Sequence, residues 1–225
     1  WSGEKASGFA GRMDNDLLPW KPTLITTCYG MNDGQYKAFT DEIGAEYEKN
    51  MRAIIAKMKE SAVRVIVGSP GVVDSGTYHG NKPQDSEIYN ANLAELGKIG
   101  AKLAAEYGFT FADLHNTMMG VMTNAKAEFG AKYPVAGGDG VHPGPNGQLA
   151  MAYTFMRAME LDGNIGSITM NYPDKAETTK GHEIVSCAGG IVTVKSCKYP
   201  FCFKDNEFAQ AVKILPFLSF QKDLN

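Results

Sequence analysis

Residues 22–34 read Pro-Thr-Leu-Ile-Thr-Thr-Cys-Tyr-Gly-Met-Asn-Asp-Gly, an apolar and β-branched run that halts at a glycine and continues as a polar turn. The first eight of these, residues 22–29, predict a buried strand, since β-branched side chains suit a pleated surface and Gly30 ends the run. Just downstream, Ile43, Tyr47, Met51, Ile54, Ile55 and Met58 recur at spacings of three and four, so an amphipathic helix is expected over Thr40–Lys59. The next apolar run, Val63–Val67, predicts a second strand, and a polar Gly/Pro-rich loop is expected from Gly68 to about Ser86.

The same alternation continues. Ile88, Asn92, Leu96, Ile99, Leu103 and Tyr107 mark a long helix that Gly108 closes. Phe109–Leu114 reads as a third strand, with Asn116 as the expected cap of a helix running to about Phe129. A further helix is expected over Asn146–Leu161, its apolar face formed by Leu149, Ala152, Tyr153, Met156 and Met159. Strands separated by helices of this length imply parallel βαβ units with right-handed crossovers, an α/β fold. Beyond Gly163 the pattern changes to short alternating stretches, Ser167–Asn171 and Ile191–Lys195, so a domain over residues 1–162 and a β-rich appendage over residues 163–225 are expected.

Composition narrows the function classes. With 44% apolar and 21% charged residues the chain has an ordinary globular balance, and a net charge of −3 gives nucleic acid no electrostatic reason to bind. No apolar run reaches the length of a membrane-spanning helix. Cys28, Cys187, Cys197 and Cys202 lack paired metal-ligand spacing and read as free or buried thiols. A disulfide among the last three is the alternative, one that the expected exported location would permit. No metal-ligand cluster is spaced along the chain, and neither a metal nor an organic cofactor is expected. The residues carry no signal for an oligomeric state.

Two segments carry chemistry. Gly30-Met31-Asn32-Asp33 follows the first strand directly, and Asp139-Gly140-Val141-His142-Pro143 precedes the last long helix. In a parallel sheet, loops at the C-terminal strand ends line the ligand crevice, so both can reach one site. A tight turn at Gly140 lets the Asp139 carboxylate meet one imidazole nitrogen of His142 and leaves the other free to take a proton. The plainer reading is a helix-initiating turn in which Asp139 only caps. Asn32 offers an amide NH₂ suited to a developing oxyanion, and is equally at home in an Asx turn.

In their joint order these residues resemble the SGNH (GDSL-like) hydrolases. Ser2-Gly3 is similar to the family's second block, Gly30-Met31-Asn32-Asp33 to its third and Asp139-Gly140-Val141-His142 to its last. The resemblance implies a three-layer α/β/α, flavodoxin-like parallel sheet. It also implies that His142 acts as general base and Asp139 as its orienter, while the Gly3 backbone N–H and the Asn32 side chain donate to the oxyanion. The expected substrate is a small-molecule or carbohydrate ester carrying an acetyl or other short acyl group. No Gly-Asp-Ser occurs in the 225 residues, so the nucleophile is expected on a segment before Trp1, and the polypeptide without it is expected to be inactive. The rival reading is a non-catalytic flavodoxin-like or carbohydrate-binding domain. His79 is read as a solvent-exposed loop residue, with a place on the pocket rim as the alternative, His115 either as a residue that approaches the crevice or as a turn or cap residue, and His182 as a residue with no nameable partner. Trp1, Trp20, Tyr29 and Tyr36 flank the crevice loops and are read mainly as packing residues, with stacking on a sugar ring as the alternative.

Overall fold

The computed structural model describes residues 3–61, 63–78, 84–161, 164–198, 210, 214 and 215. The chain divides into two compact units, residues 1–161 with 205–225, and residues 162–204.

The first unit is built on three parallel strands, β1 (Leu24–Cys28), β2 (Arg64–Gly68) and β3 (Thr110–Ala112), in the order β1-β2-β3. Ile25 pairs with Val65 and Thr27 with Val67, so these four side chains share one face of the sheet. Against that face pack α1 (Ala6–Asp16), α2 (Asp41–Glu60) and α3 (Gln84–Tyr107), whose Met13, Tyr47, Met51, Ile54, Leu96 and Leu103 join Ile25, Val65 and Val67 in one cluster. Each fully buried aliphatic of this kind contributes about 1.5–3 kcal/mol relative to exposure. The opposite face meets α4 (Leu114–Phe129) and α5 (Pro145–Ala158): a Cβ on Gly68 would strike Leu114 and Phe155. The result is a three-layer α/β/α arrangement. Among the described residues β1 pairs on one side only, which leaves its outer edge open.

The helices and strands fall within a few residues of their expected positions, with four informative differences. The helix α1 was not signalled, since only Ala6 and Met13 of its eleven residues are buried. Asp113, not Asn116, caps α4: its carboxylate accepts from the Asn116 backbone N–H at 3.0 Å, and the Asn116 side chain turns back to the same carboxylate. The polar loop after β2 is buried over residues 69–74, because the Asn90 amide bonds both the N–H and the carbonyl of Val73, at 2.9 and 2.8 Å. Ile88, Ala152 and Met156, expected to face inward, are exposed, while Tyr89, Ala150 and Thr154 are buried instead.

The second unit is two antiparallel pairs, β4 (Ile168–Asn171) with β5 (Lys175–Thr178) and β6 (His182–Ala188) with β7 (Ile191–Ser196). His182 does have partners here. Its Nε2–H donates to the Ile165 carbonyl at 2.6 Å, and Nδ1 accepts from the Ser196 hydroxyl at 2.8 Å. Cys187 and Cys197 are free thiols, and Cys202 lies outside the described residues.

Candidate functional site

The loops that follow β1 and β2 and the loop that joins α4 to α5 are fastened together by a small apolar cluster. Val73, Tyr89 and Leu93 are buried there, with Met31 from the first loop, Tyr78 from the second and Val141 from the third packed against them. Above the cluster lies a cavity of about 370 Å³ lined by Gly3, Cys28, Asn32, Tyr36, Val72 and His142, among others. Gly3, Asn32 and His142, far apart in sequence, therefore share one crevice.

The turn into Asn32 begins at Gly30, whose φ of 127° and close approach to the Pro70 ring exclude a side chain. Asp33 is buried and accepts from the N–H of Ala6 at 3.0 Å and of Gly30 at 3.1 Å, tying the start of α1 to the end of β1. Burial raises the Asp33 carboxyl above its ordinary range, and those two amides partly offset the effect. This tie brings Glu4 beside Asn32, whose Nδ2 donates to the Glu4 carbonyl at 3.2 Å. The second Nδ2 hydrogen of Asn32 has no partner among the described residues.

His142 and Asp139 meet as a pair. Imidazole Nδ1 lies 2.6 Å from Asp139 Oδ2, while Asp139 Oδ1 accepts from the backbone N–H groups of Val141 and His142, both at 2.9 Å. An ionised carboxylate only accepts, so Nδ1 carries the hydrogen and Nε2 of the neutral ring is a proton acceptor. Nε2 has no partner among the described residues. The His142 backbone amide, then its imidazole, then the Val141 amide hold the Asp139 carboxyl well below the usual range. Asp139 thus makes the bonds of a turn residue and those of an imidazole orienter at once.

Two residues with no local sequence signature set this loop in place. Asp74, fully buried, accepts at Oδ2 from the Val135 and Ala136 N–H groups, at 2.9 and 3.4 Å, and at Oδ1 from Gly76 N–H and Lys126 Nζ, at 2.8 and 2.7 Å. The Asp74 backbone N–H donates to the Gly140 carbonyl at 2.9 Å, and Thr77 Oγ1 donates to the Gly137 carbonyl at 2.9 Å. Asn90, through Val73, holds the same segment from below. Apart from Gly76, two residues from Asp74, their side-chain partners are 17 or more residues away in sequence, so only an expectation of buried polar groups inside a loop would have pointed to them.

Cys28 lines the cavity, and much of the residue's surface is open. Its sulfur nevertheless sits in dense surroundings and donates to the Ser69 carbonyl at 3.4 Å; the resulting desolvation pushes the thiol up to about 11, which keeps it protonated and weakly nucleophilic near neutrality. His115 is buried away from that cavity's lining, with Nδ1 2.9 Å from the Gly71 carbonyl. Tyr36 reaches the crevice, whereas Trp20 is exposed on the surface. Trp1, Ser2 and His79 lie outside the described residues.

The family model for GDSL-like lipases and acylhydrolases matches residues 1–150. No curated protein matches the sequence. Among solved structures, the chain is similar to BT4096, a gut microbial diltiazem-metabolizing enzyme, with 20% identity, a TM-score of 0.71, and coverage of 96% of this chain and 54% of that one. It therefore spans about half the length of that enzyme. Similar folds are found in the acetyl xylan esterase AlAXEase, with 23% identity, a TM-score of 0.58 and coverage of 70% and 77%. Axe2, an acetylxylan esterase from Geobacillus stearothermophilus, follows with 20% identity, a TM-score of 0.54 and coverage of 72% and 70%. At these identities the structural likeness speaks for the fold, while the match over two thirds of the sequence, on a parallel sheet whose loops carry Asn32 and His142, decides the family. The chain belongs to the GDSL-like lipase/acylhydrolase family.

Proposed function

We propose that these residues supply the general base, its orienting carboxylate and the oxyanion donors of a serine ester hydrolase, with the attacking serine on a strand outside residues 1–225. The observation that carries this reading is the His142–Asp139 pair, with Nδ1 to Oδ2 at 2.6 Å, opening onto the same cavity as Asn32 and Gly3. The outer edge of β1, unpaired among the described residues, supports the location of the serine, because such an edge has room for a further parallel strand.

In this mechanism the serine Oγ attacks the ester carbonyl carbon while His142 Nε2 takes its proton. The negative charge that forms on the carbonyl oxygen is met by the free Nδ2–H of Asn32 and the backbone N–H of Gly3. The imidazolium then returns its proton to the departing alkoxide, which leaves as the alcohol. Water attacks the acyl-serine with His142 again as base, and the acid departs. Asp139 stays ionised throughout and holds the ring in the productive tautomer.

Acetyl or another short acyl group on a carbohydrate is the favoured substrate. A crevice of about 370 Å³ suits a small acyl group with part of a sugar, and two structural neighbours are named acetyl xylan esterases. The test is hydrolysis of 4-nitrophenyl acetate and of acetylated xylo-oligosaccharide by the full-length protein. His142→Ala is expected to lower kcat/KM by roughly 10²–10⁴-fold. A full-length protein that binds xylo-oligosaccharide but hydrolyses no ester, or one in which His142→Ala retains the parent rate, overturns the reading.

A further inference from the structure

The loop between β1 and α2 holds a strained turn. Gln35 and Tyr36 both adopt left-handed backbone conformations, with φ of 58° and 55°, although neither is glycine. A residue with a Cβ adopts such a conformation only where its surroundings impose it. The imposing group is Asn92, fully buried on α3, whose Nδ2 donates to the Gly34 carbonyl at 2.9 Å and to the Lys37 carbonyl at 2.8 Å, bracketing the two strained residues.

The turn directs the Tyr36 ring back toward the residue four places earlier. The ring stacks on Tyr89 at a centroid distance of 4.9 Å and an interplanar angle of 26°, and Tyr89 is itself anchored by its hydroxyl to the Met31 carbonyl. From that platform the Tyr36 hydroxyl lies 3.1 Å from Asn32 Oδ1. The direction of this bond follows from the other end of the amide. The Glu4 carbonyl only accepts, so it must face Nδ2, which leaves Oδ1 toward Tyr36 and makes the tyrosine hydroxyl the donor.

We infer that Tyr36 is the positioning residue of the oxyanion hole: its hydroxyl and the Glu4 carbonyl grip the two ends of the Asn32 amide and present the free Nδ2–H to the crevice. The inference rests on the hydrolase reading above for its consequence in catalysis, but not for the geometry it describes. A donor aimed before the reaction begins stabilises a developing oxyanion without reorganising, which is why an aiming contact is read in kcat. Tyr36 also lines the cavity, so a direct contact with substrate is the rival role, and it is read in KM.

The experiment uses the full-length protein with 4-nitrophenyl acetate, comparing Tyr36→Phe, Asn32→Ala and the double variant with the parent. Phenylalanine retains the stacked ring and removes only the hydroxyl. Tyr36→Phe is expected to lower kcat about 3- to 10-fold, the worth of one net hydrogen bond, with KM and thermal midpoint unchanged. In the Asn32→Ala background it is expected to do nothing further, because the group it aims is gone. An equal loss in both backgrounds, a rise in KM alone, or no change overturns the inference. A second readout needs no activity. The Asn32 side-chain NH₂ resonances, assigned by their loss in Asn32→Ala, are expected to shift and to exchange with solvent faster in Tyr36→Phe. Unchanged resonances overturn the positioning role even if no ester is hydrolysed, whereas shifted resonances in a protein without esterase activity sustain the positioning and fault only the hydrolase reading.

Discussion

His142 gains its chemical identity from one neighbour three residues away. With Nδ1–H committed to Asp139, only Nε2 remains to accept a proton, and a carboxamide at position 139 would present its NH₂ group or a weaker acceptor instead. Asp139→Asn in the full-length protein is therefore expected to lower kcat by roughly 10³-fold while leaving KM near the parent value. The same substitution has a pH signature. The Asp139 carboxyl is depressed in the folded protein, so its contribution to stability is present above the ordinary carboxylate range near about pH 4 and is lost as pH falls below it. Its side chain is 52% exposed, so solvent screens the effect and a small difference is expected. Urea midpoints of parent and Asp139→Asn should differ by a constant amount from pH 8 to about 5 and converge toward about pH 2. A difference that grows in acid would contradict the assignment of Asp139 as the depressed group.

At the level of elements, the loop before α5 works because a glycine stands between the two partners. Gly140 has a φ of 77°, and a Cβ there would run into the backbone of Thr77 and Tyr78. Both constraints act together, a left-handed backbone and a contact with main-chain atoms that cannot rotate away. Gly140→Ala is expected to reduce stability by about 1–3 kcal/mol and to separate His142 from the crevice, so that kcat/KM falls along with the thermal midpoint. A fully active, fully stable Gly140→Ala protein would mean that the loop reaches its position by another route. The α3 helix shows how a sequence pattern and its meaning can separate. The stripe through Asn92, Leu96 and Leu103 is indeed inward, yet Asn92 is there to bind the Gly34 and Lys37 carbonyls rather than to fill space, and Tyr89, not Ile88, lies on the buried face. Periodicity fixes a helix to within about one residue of rotation; which side chain fills the last position depends on the neighbouring loop.

Across the first unit, the crevice depends on a charged group that never touches it. Asp74, its own side chain fully buried, gathers two backbone amides of the segment entering the His142 loop, one of its own turn and the Lys126 ammonium. Replacing one partner of such a buried set leaves the others unpaired, so Asp74→Asn is expected to lower the unfolding free energy by about 3–5 kcal/mol, measured by urea denaturation. A change below about 1 kcal/mol would mean that water reaches the site and replaces the lost bonds.

By itself the sequence determined the order of parallel strands and helices, because apolar spacing at two or at three and four residues is set by local backbone geometry. It also pointed to two segments that each contribute residues to one cavity, Met31 and Asn32 from the first and Val141 and His142 from the second. Whether Asp139 only caps a turn or also meets the imidazole was open in the sequence; the tertiary structure shows it doing both. The capping of α4 by Asp113, the burial of residues 69–74, and the roles of Asp74, Asn90, Asn92 and Tyr36 were likewise decided only by folding. For Asp74, Asn90 and Asn92 the physical cause is the same: a buried polar group is defined by partners that the fold brings to it from distant parts of the chain.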